Sequence, residues 1–524
     1  MIDTKKEQER DELHRAIWAI ADELRGAVDG WDFKNYVLGT MFYRYISENL
    51  CNYINEGEAD AGNADFDFAV MPDEDAEEAR EGLVEEKGFF ILPSELFCNV
   101  RARAAEDENL NETLERVFRH IEDSAKGSEA ENDFAGLFDD FDVNSNKLGS
   151  TVAKRNEKLV KLLNGVGDMN LGDVKDHSID AFGDAYEYLM TMYASNAGKS
   201  GGEFFTPADV SELLTRLGTV GKTEINKVYD PACGSGSLLL KAEKVLGRDA
   251  IRNGFYGQEI NITTYNLCRI NMFLHDVGFD KFDIACEDTL TSPQHWDDEP
   301  FELIVSNPPY SIKWAGDENP LLINDPRFSP AGVLAPKSKA DMAFIMHSLA
   351  WLASNGTAAI VCFPGIMYRG GAEQKIRKYL VDNNYVDCVI QLPSNLFFGT
   401  SIATCIMVMK KNKTDNKTLF IDATKECVKV TNNNKLTPEN IYRIVETFTK
   451  REDVQHFSHL ATYEEVSTND YNLSVSIYVE AEDTREKIDI VKLNVEIKEI
   501  VAREQVLRDE IDKIIAEIEN GKNE

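Results

Sequence analysis

The sequence predicts an α/β protein in which a mainly parallel, doubly wound sheet follows an α-helical N-terminal domain and precedes a long C-terminal helix. Three patterns favour this fold class. Apolar residues recur at helical spacing through the first 165 residues, short β-rich runs alternate with helical segments from about 225 to 410, and a regular apolar repeat fills the last forty residues. The predicted domain boundaries are 1–165, 166–480 and 481–524.

The N-terminal domain is predicted to begin with helices. Apolar residues fall at helical spacing from 13 to 24, and the pattern resumes after a break at 30–32. The stretch 56–86 then holds thirteen Asp or Glu residues and one arginine, Arg80. We interpret it as a solvated loop or helix face rather than as a binding tail. Helical spacing returns between 114 and 163, which completes the domain.

The predicted strands of the second domain are short runs rich in β-branched and aromatic residues. They lie at 227–229, 254–258, 282–285, 303–306, 357–363, 386–391 and 401–409. Because helical segments separate most of them, the connections are crossovers and the strands are mainly parallel. Ligands of such sheets bind at the carboxyl ends of the strands.

The last forty residues carry apolar side chains at alternating steps of three and four. The repeat occupies 490, 493, 497, 500, 504, 507, 511, 514 and 518, and eight of these nine positions are apolar. Such spacing is typical of a coiled-coil helix, which would be about 45 Å long at ~1.5 Å per residue. The helix packs either on its own domain or on a partner. The length of the repeat and its place in the chain favour a partner.

Composition excludes several classes of protein. Hydrophobic residues make up 43% of the chain, enough for large cores, so a mostly disordered polypeptide is excluded. There is no apolar run of ~18 residues and no apolar core in the charged N-terminal segment, so we expect neither a membrane span nor a secretory signal. The nine cysteines form no C-x-x-C pair. We therefore expect no disulfide framework, no metal site and a cytoplasmic location.

The net charge is strongly negative. Lys and Arg number 56 against 92 Asp and Glu, for a formal net charge of −36. Such a chain is a poor candidate for binding nucleic acid phosphates unaided. Either it is an ordinary acidic protein, or, if its substrate is DNA, another component supplies much of the positive surface.

The first chemical signal is a predicted strand that runs into a glycine turn and then an apolar helix. Its residues are Asp230, Pro231, Ala232, Cys233, Gly234, Ser235 and Gly236. The two glycines let the backbone approach a ligand closely and present N–H groups at a helix N-terminus. Glu259 ends the next predicted strand, where a carboxylate can accept both ribose hydroxyl protons of a nucleoside.

The second signal is Asn307-Pro308-Pro309-Tyr310, at the end of a later strand. The prolines fix the backbone and remove two donors, which leaves carbonyl oxygens free to face a ligand. Asn307 and the Pro308 carbonyl can then accept hydrogen bonds from one exocyclic amine, while Tyr310 offers a flat face for stacking. This arrangement suits a planar amine conjugated to a ring. The alternative, a structural Pro-Pro turn, is disfavoured by this setting.

Together these motifs resemble the two signatures of amino methyltransferases that use S-adenosylmethionine. The upstream segment 201–207 resembles a further cofactor motif, in the gamma order of adenine-N6 enzymes. Other segments, at 339–344, 363–366, 369–377 and 392–400, are similar to the modification (methyltransferase) subunit of type I restriction–modification systems. The resemblance covers most of the chain. It implies a Rossmann-like S-adenosylmethionine-dependent methyltransferase domain at 166–480.

The resemblance also implies roles for individual residues. It assigns to the methionine end of the cofactor Glu203, Phe204, Thr206 and Pro207, with Phe205 in the same motif. Asp230 and the 234–236 turn, with Ala232 and Cys233 beside it, would bind the amino-acid moiety. Glu259 would bind the ribose, and Asp288 would bind the adenine. The resemblance assigns to the target base Asn307, Pro308, Pro309 and Tyr310. Cys233 is expected to be a small packing residue, and Asp341, Arg369 and Glu373 are left open between function and structural salt bridges.

The implied reaction is direct methylation of the N6 amine of an adenine flipped out of double-stranded DNA. The implied partners are a specificity subunit that reads the DNA and joins two modification subunits, and a restriction/translocase subunit. The C-terminal helix would dock on the specificity subunit.

Two alternatives stay open: a methyltransferase acting on a protein glutamine or an RNA base amine, and an inactive scaffold subunit. The predicted helical domain and terminal helix disfavour the first alternative, and the intact motifs disfavour the second. Gly198 and Gly221 precede Lys-Ser and Lys-Thr but lack the earlier glycine of a P-loop, so an ATPase is not expected.

Overall fold

The computed structural model describes residues 4–24, 30–171, 181–196, 206–430, 433–482 and 490–520. The chain divides into two compact units, Met1–Val479 and Glu480–Glu524. The first unit contains the helical region and the sheet. The second consists mainly of one helix.

Ten α-helices precede the first strand in the described residues, and the first nine form the helical region. These nine are α1 Thr4–Leu24, α2 Gly30–Asp60, α3 Asp73–Ala76, α4 Arg80–Lys87, α5 Phe97–Arg103, α6 Leu110–Ser124, α7 Glu131–Phe134, α8 Val152–Asp168 and α9 Ala181–Asn196. The predicted separation into two helices is confirmed, but residues 30–32 belong to the second helix, because α2 begins at Gly30. A glycine is tolerated there, since the first turn of a helix lacks intrahelical partners for its N–H groups.

The acidic stretch 56–86 runs from the end of α2 through α4. Eleven of its thirteen carboxylate residues are exposed, which confirms the prediction of a solvated surface. Some of them also stabilise turns: Asp73 accepts hydrogen bonds from the Ser94 backbone N–H (2.9 Å) and hydroxyl (2.6 Å). The stretch is therefore a folded acidic face of the helical region.

The sheet has nine strands, and a separate hairpin has two. The strands are β1 Val228–Asp230, β2 Phe255–Glu259, β3 Phe282–Cys286, β4 Phe301–Ser306, β5 Leu352–Cys362, β6 Val386–Gln391, β7 Cys405–Lys410, β8 Thr418–Asp422, β9 Val428–Val430, β10 Asn433–Lys435 and β11 Ser458–Ala461. The order in the large sheet is β11-β8-β6-β7-β5-β4-β1-β2-β3. Pairing is parallel except where β7 meets β5 and β6 and where β11 meets β8, so the mainly parallel prediction is confirmed.

The remaining helices of the first unit are α10 Ala208–Gly218, α11 Ser237–Leu246, α12 Ile262–Leu274, α13 Asp341–Trp351, α14 Ala372–Asp382, α15 Pro438–Lys450, α16 Tyr463–Thr468 and α17 Val475–Tyr478. Alternate strand residues bury on opposite faces of the sheet. Val228 and Leu303 join the core formed with α10 to α12, whereas Tyr229 and Ile304 join the core formed with α13. The first core continues without interruption into the N-terminal helices.

The second unit contains α18, Ile490–Asn520, and so confirms the predicted terminal helix. Apolar side chains of its repeat are exposed, among them Ile490 (69%), Ile500 (66%) and Ile514 (55%). Whether this face meets a partner helix stays a prediction. Among the described helices, none is both long and apolar enough to cross a membrane.

Candidate active site

Four neighbouring strands deliver the predicted site residues to one edge of the sheet. Asp230 ends β1, Glu259 ends β2, Asp288 follows β3 by two residues, and Asn307 comes directly after β4. These strands are parallel neighbours in the order β4-β1-β2-β3, so their carboxyl ends lie together. β1 is where the chain reverses its direction of strand addition, with β2 on one side and β4 on the other. Such a switch point is where α/β sheets bind ligands.

Asp230 is a buried carboxylate with defined partners. It is 1% exposed, and its Oδ1 accepts hydrogen bonds from the Ser306 hydroxyl (2.7 Å) and the Ala232 backbone N–H (3.0 Å). Burial raises the pKa of Asp230 to about 7, the nearby Glu259 charge adds to the increase, and the two hydrogen bonds oppose it. The group can therefore change its charge near neutral pH.

The glycine turn is shaped by close packing behind it. Gly234 and Gly236 have φ of 55° and 78°, which a residue with a side chain rarely adopts. A Cβ on Gly236 would lie 2.7 Å from the Cys268 sulfur, so this position has no room for one. Cys233 is buried, and a hydrogen bond with Cys268 and burial raise the pKa of its thiol well above the ordinary value. The thiol is thus a packing group, as the sequence predicts, and not an activated nucleophile.

Glu259 bridges the end of β2 and the glycine turn. Its Oε2 accepts from the Gly234 N–H (3.1 Å), and its Oε1 accepts from the Asn261 N–H (2.9 Å). Burial raises the pKa of Glu259, and these backbone hydrogen bonds oppose the increase. Each oxygen keeps a further lone pair. The carboxylate is therefore oriented by the backbone and can still accept hydrogen bonds from the hydroxyl groups of a ligand.

Asp288 organises the turn that follows β3. Its Oδ1 accepts from the Leu290 N–H (2.9 Å), and its Oδ2 accepts from the Thr291 hydroxyl (2.8 Å). Gln258, which the sequence does not single out, binds the carbonyls on either side of this turn: its Nε2 donates to Glu287 (3.0 Å) and Ser292 (2.9 Å). The turn is thus held rigidly beside the end of β2.

The Asn307–Tyr310 motif adopts a compact arrangement of its own. The Tyr310 hydroxyl donates to Asn307 Oδ1 (2.6 Å), and Asn307 Nδ2 donates to the Thr206 hydroxyl (3.2 Å). The Tyr310 ring meets the Phe397 ring edge-on at 6.4 Å. The amide of Asn307 is therefore fixed in orientation, with its oxygen facing Tyr310 and one lone pair remaining.

Two further site residues stand before α10. Thr206 joins the upstream motif to Asn307, and Pro207 precedes Ala208 at the start of the helix, where its carbonyl accepts from the Ser211 N–H (2.9 Å). The predicted cofactor residues Glu203, Phe204 and Phe205 lie outside the described residues.

The three residues left open by the sequence make structural contacts. Asp341, at the start of α13, accepts two hydrogen bonds of 3.1 Å from the backbone N–H of Ser311, which has a positive φ of 52°. Arg369, just before α14, and Glu373, in its first turn, form an ion pair (3.3 Å). Asp341 therefore anchors the chain just after Tyr310, and the ion pair stabilises the start of α14.

One group in the described part of the chain combines His and carboxylate side chains at metal-ligand spacing: Asp283, His295 and Asp298. His295 Nε2 donates to the Gly257 carbonyl (2.9 Å), so Nδ1 faces Asp298 (3.4 Å) and Asp283 (3.7 Å). The Lys227 ammonium lies 3.8 Å from Asp298. Lysine thus already provides a cationic partner for one of the carboxylates, and we assign no metal here.

Comparisons with known families match nearly the whole chain. A family model described as N-6 DNA Methylase matches residues 177–487, and one described as HsdM N-terminal domain matches residues 13–166. The methylase subunit of the type I restriction enzyme MpnII from Mycoplasma pneumoniae is 49% identical, over 99% of this chain and 98% of that protein. The corresponding MjaVII subunit from Methanocaldococcus jannaschii is 29% identical, over 97% of this chain and 85% of that protein.

A solved structure agrees with these relatives. The crystal structure of a type I restriction–modification methyltransferase subunit from Streptococcus thermophilus superposes with a TM-score of 0.80 at 37% identity. The match covers 90% of this chain and all of that one.

Proposed function

The chain belongs to the methylase subunits of type I restriction enzymes, within the N-6 DNA methylase family, and we propose on this premise which residues carry out its reaction. The reaction is methylation of the N6 amine of adenine in DNA. One observation carries the residue assignment: the Asn307 motif follows β4 directly beside β1 and β2, whose ends hold Asp230, the glycine turn and Glu259.

These residues fit S-adenosylmethionine by their chemistry. The glycines of the 234–236 turn carry no side chain that would keep a ligand from the backbone at the start of α11, and Glu259 retains lone pairs for the ribose hydroxyls. Asp230 supplies a negative charge for the amino-acid moiety, and Asp288 an acceptor for the adenine amine. Glu203, Phe204, Phe205, Thr206 and Pro207 complete the methionine end. When bound, the cofactor supplies an electrophilic methyl group.

The protein's part in the transfer is to position the amine. The adenine N6 lone pair is delocalised into the ring, so the amine is a poor nucleophile. Asn307 Oδ1 and the Pro308 carbonyl, held in place by Pro309, accept its two hydrogens and turn the lone pair toward the methyl group. Tyr310 stacks on the flipped base. Transfer is direct, and its rate depends on this alignment rather than on a covalent intermediate.

Partners supply what this chain lacks for DNA. A specificity subunit reads the recognition sequence and joins two copies of the chain through α18, and a restriction/translocase subunit completes the assembly. The exposed apolar repeat of α18 and the net charge of −36 support this arrangement. The DNA substrate implies that the protein works in the cytoplasm.

The test is genome-wide mapping of N6-methyladenine in the native host carrying Asn307→Ala. We expect loss of methylation at one split recognition sequence, and a fall in the rate of the purified complex of about 100-fold, because the amine loses an acceptor on which alignment depends. Asn324→Ala, at an exposed asparagine in the segment after the motif, is the matched control. An unchanged methylome in Asn307→Ala, with the protein expressed, would contradict the proposal.

A further inference from the structure

A buried arginine holds the turn that carries Asp288. Arg327 lies between β4 and α13, and its side chain is 2% exposed. Its Nη1 donates to the carbonyl of Thr289 (2.8 Å), and its Nη2 donates to the carbonyl of Leu290 (2.8 Å). These are the two residues that follow Asp288. One guanidinium group therefore fixes the backbone of the turn.

The guanidinium is itself held firmly. Asp325 accepts hydrogen bonds from Arg327 Nε (3.0 Å) and Nη2 (2.7 Å). The guanidinium carbon of Arg327 lies 4.7 Å from the centre of the Phe328 ring. Its Nη1 also meets His347 Nδ1 at 3.1 Å. Because guanidinium nitrogens only donate, Nδ1 accepts, and the ring proton is on Nε2, 2.9 Å from the Tyr229 hydroxyl.

The surroundings of His347 keep its imidazole ring neutral. His347 is fully buried, and burial together with the Arg327 charge holds its pKa well below the ordinary value. On its other side, the turn is tied to β1 by the Thr289 hydroxyl, which donates to the Pro231 carbonyl (2.6 Å). Of the two side chains that hold this turn, Arg327 and Thr289, only Arg327 is charged. Arg327 lies in the segment that follows the Asn307–Tyr310 motif.

We propose that Arg327 is a positioning residue for the cofactor, and that by holding the 288–290 turn it sets the selectivity of Asp288 for the 6-amino group of the purine. This inference rests on the function proposed above. Without Arg327, two buried carbonyls lose their partners and the turn must shift to satisfy them. Asp288 then moves with the turn. A hypoxanthine ring has a carbonyl in place of the 6-amino group and cannot donate a hydrogen bond to Asp288. A ligand that carries this ring therefore loses little affinity when Asp288 moves.

The test compares the affinities of the full-length protein for S-adenosylhomocysteine and S-inosylhomocysteine by isothermal titration calorimetry. In Arg327→Lys we expect affinity for the adenosyl ligand to fall about tenfold, because Lys cannot reach both carbonyls, with less than about a threefold change for the inosyl ligand. The selectivity ratio should approach that of Asp288→Ala. Arg44→Lys is the matched control: Arg44 binds the Val166 and Met169 carbonyls (2.8 Å each) in the helical region and should leave both affinities unchanged.

An Arg327→Lys protein with the wild-type selectivity ratio would overturn the inference. If Arg327→Lys does not fold, Asp325→Asn is measured in the same way. This variant frees the guanidinium on one side and should lower the ratio in the same direction, so an unchanged ratio there also overturns the inference. Failure of the wild-type protein to bind either ligand would instead contradict the proposed function.

Discussion

The carboxyl group of Asp230 ends β1, where the fold excludes water. Its folded pKa of about 7 lies above the ordinary value near 3.8, so the folded state binds a proton that the unfolded chain has already released at pH 5.5. This group therefore stabilises the fold at low pH. Its contribution is lost as the pH rises through about 7.

Asp230→Asn should remove this pH dependence. Between pH 5.5 and 7.5 we expect the free energy of unfolding to fall by about 2 kcal/mol more in the wild type than in the variant, since one pKa unit corresponds to about 1.4 kcal/mol. Urea denaturation at the two pH values measures the difference. Equal pH dependence in both proteins would show that Asp230 ionises as it does in the unfolded chain.

A ligand test separates the site from simple burial. The pKa of Asp133, in the helical region, is also raised to about 7 by burial. Asp133→Asn should therefore alter stability in a similar way. Because the cofactor's ammonium group favours ionised Asp230, affinity for S-adenosylmethionine should rise from pH 6 to 7.5 in Asp133→Asn and stay flat in Asp230→Asn.

Among the elements, β7 shows how connections decide strand direction. No helix lies between β6 and β7, so the chain does not cross over and β7 runs antiparallel between β5 and β6. β4, β1, β2 and β3 are linked through helices or long segments and stay parallel. The site lies among these parallel strands, because only parallel neighbours bring all their carboxyl ends to one edge.

The terminal helix α18 carries the prediction for assembly. Removing residues 484–524 should abolish co-purification with the specificity subunit but leave affinity for S-adenosylmethionine unchanged, because Met1–Val479 forms a compact unit. Co-expression pull-down and calorimetry measure the two effects.

Point variants test the same helix without truncation. Ile511→Ser with Ile514→Ser, both 55% exposed, should weaken assembly, because they remove apolar area from the repeat. Asp512→Ser with Lys513→Ser, between them in the sequence, is the control. Assembly retained after truncation would exclude α18 as the docking element.

For the whole molecule, the charge of −36 governs contact with DNA. Fluorescence anisotropy with a labelled duplex at ~150 mM salt should give a Kd of about 10⁻⁴ M or weaker for the chain alone, because its field repels phosphates. The complex with the specificity subunit should bind far more tightly. Sub-micromolar binding by the isolated chain would contradict this division of labour.

The large core also bears on the domain boundaries. The N-terminal helices and one face of the sheet bury their apolar residues in a single continuous core, including Phe42 against Phe273 (5.7 Å between ring centres). The 165/166 boundary stays a prediction. The sequence patterns do not indicate strands β8 to β11, for two reasons. β8 and β11 are stabilised by pairing partners distant in the sequence, and β11 has no β-branched residue. β9 and β10 pair with each other in a hairpin of three-residue strands, of which β9 is exposed.

The sequence alone determined the features that depend on residues close together in the chain: the strand–turn–helix at 228–246, the Asn307–Tyr310 motif, the alternation of strands and helices, and the terminal helix. Only the tertiary structure decided which distant groups meet. Ser306 binds Asp230 across 76 residues, Thr206 binds Asn307 across 101, and Arg327 binds the turn after Asp288. The physical reason is that buried polar groups must form hydrogen bonds with whichever groups packing brings next to them. Local sequence patterns do not predict these long-range hydrogen bonds.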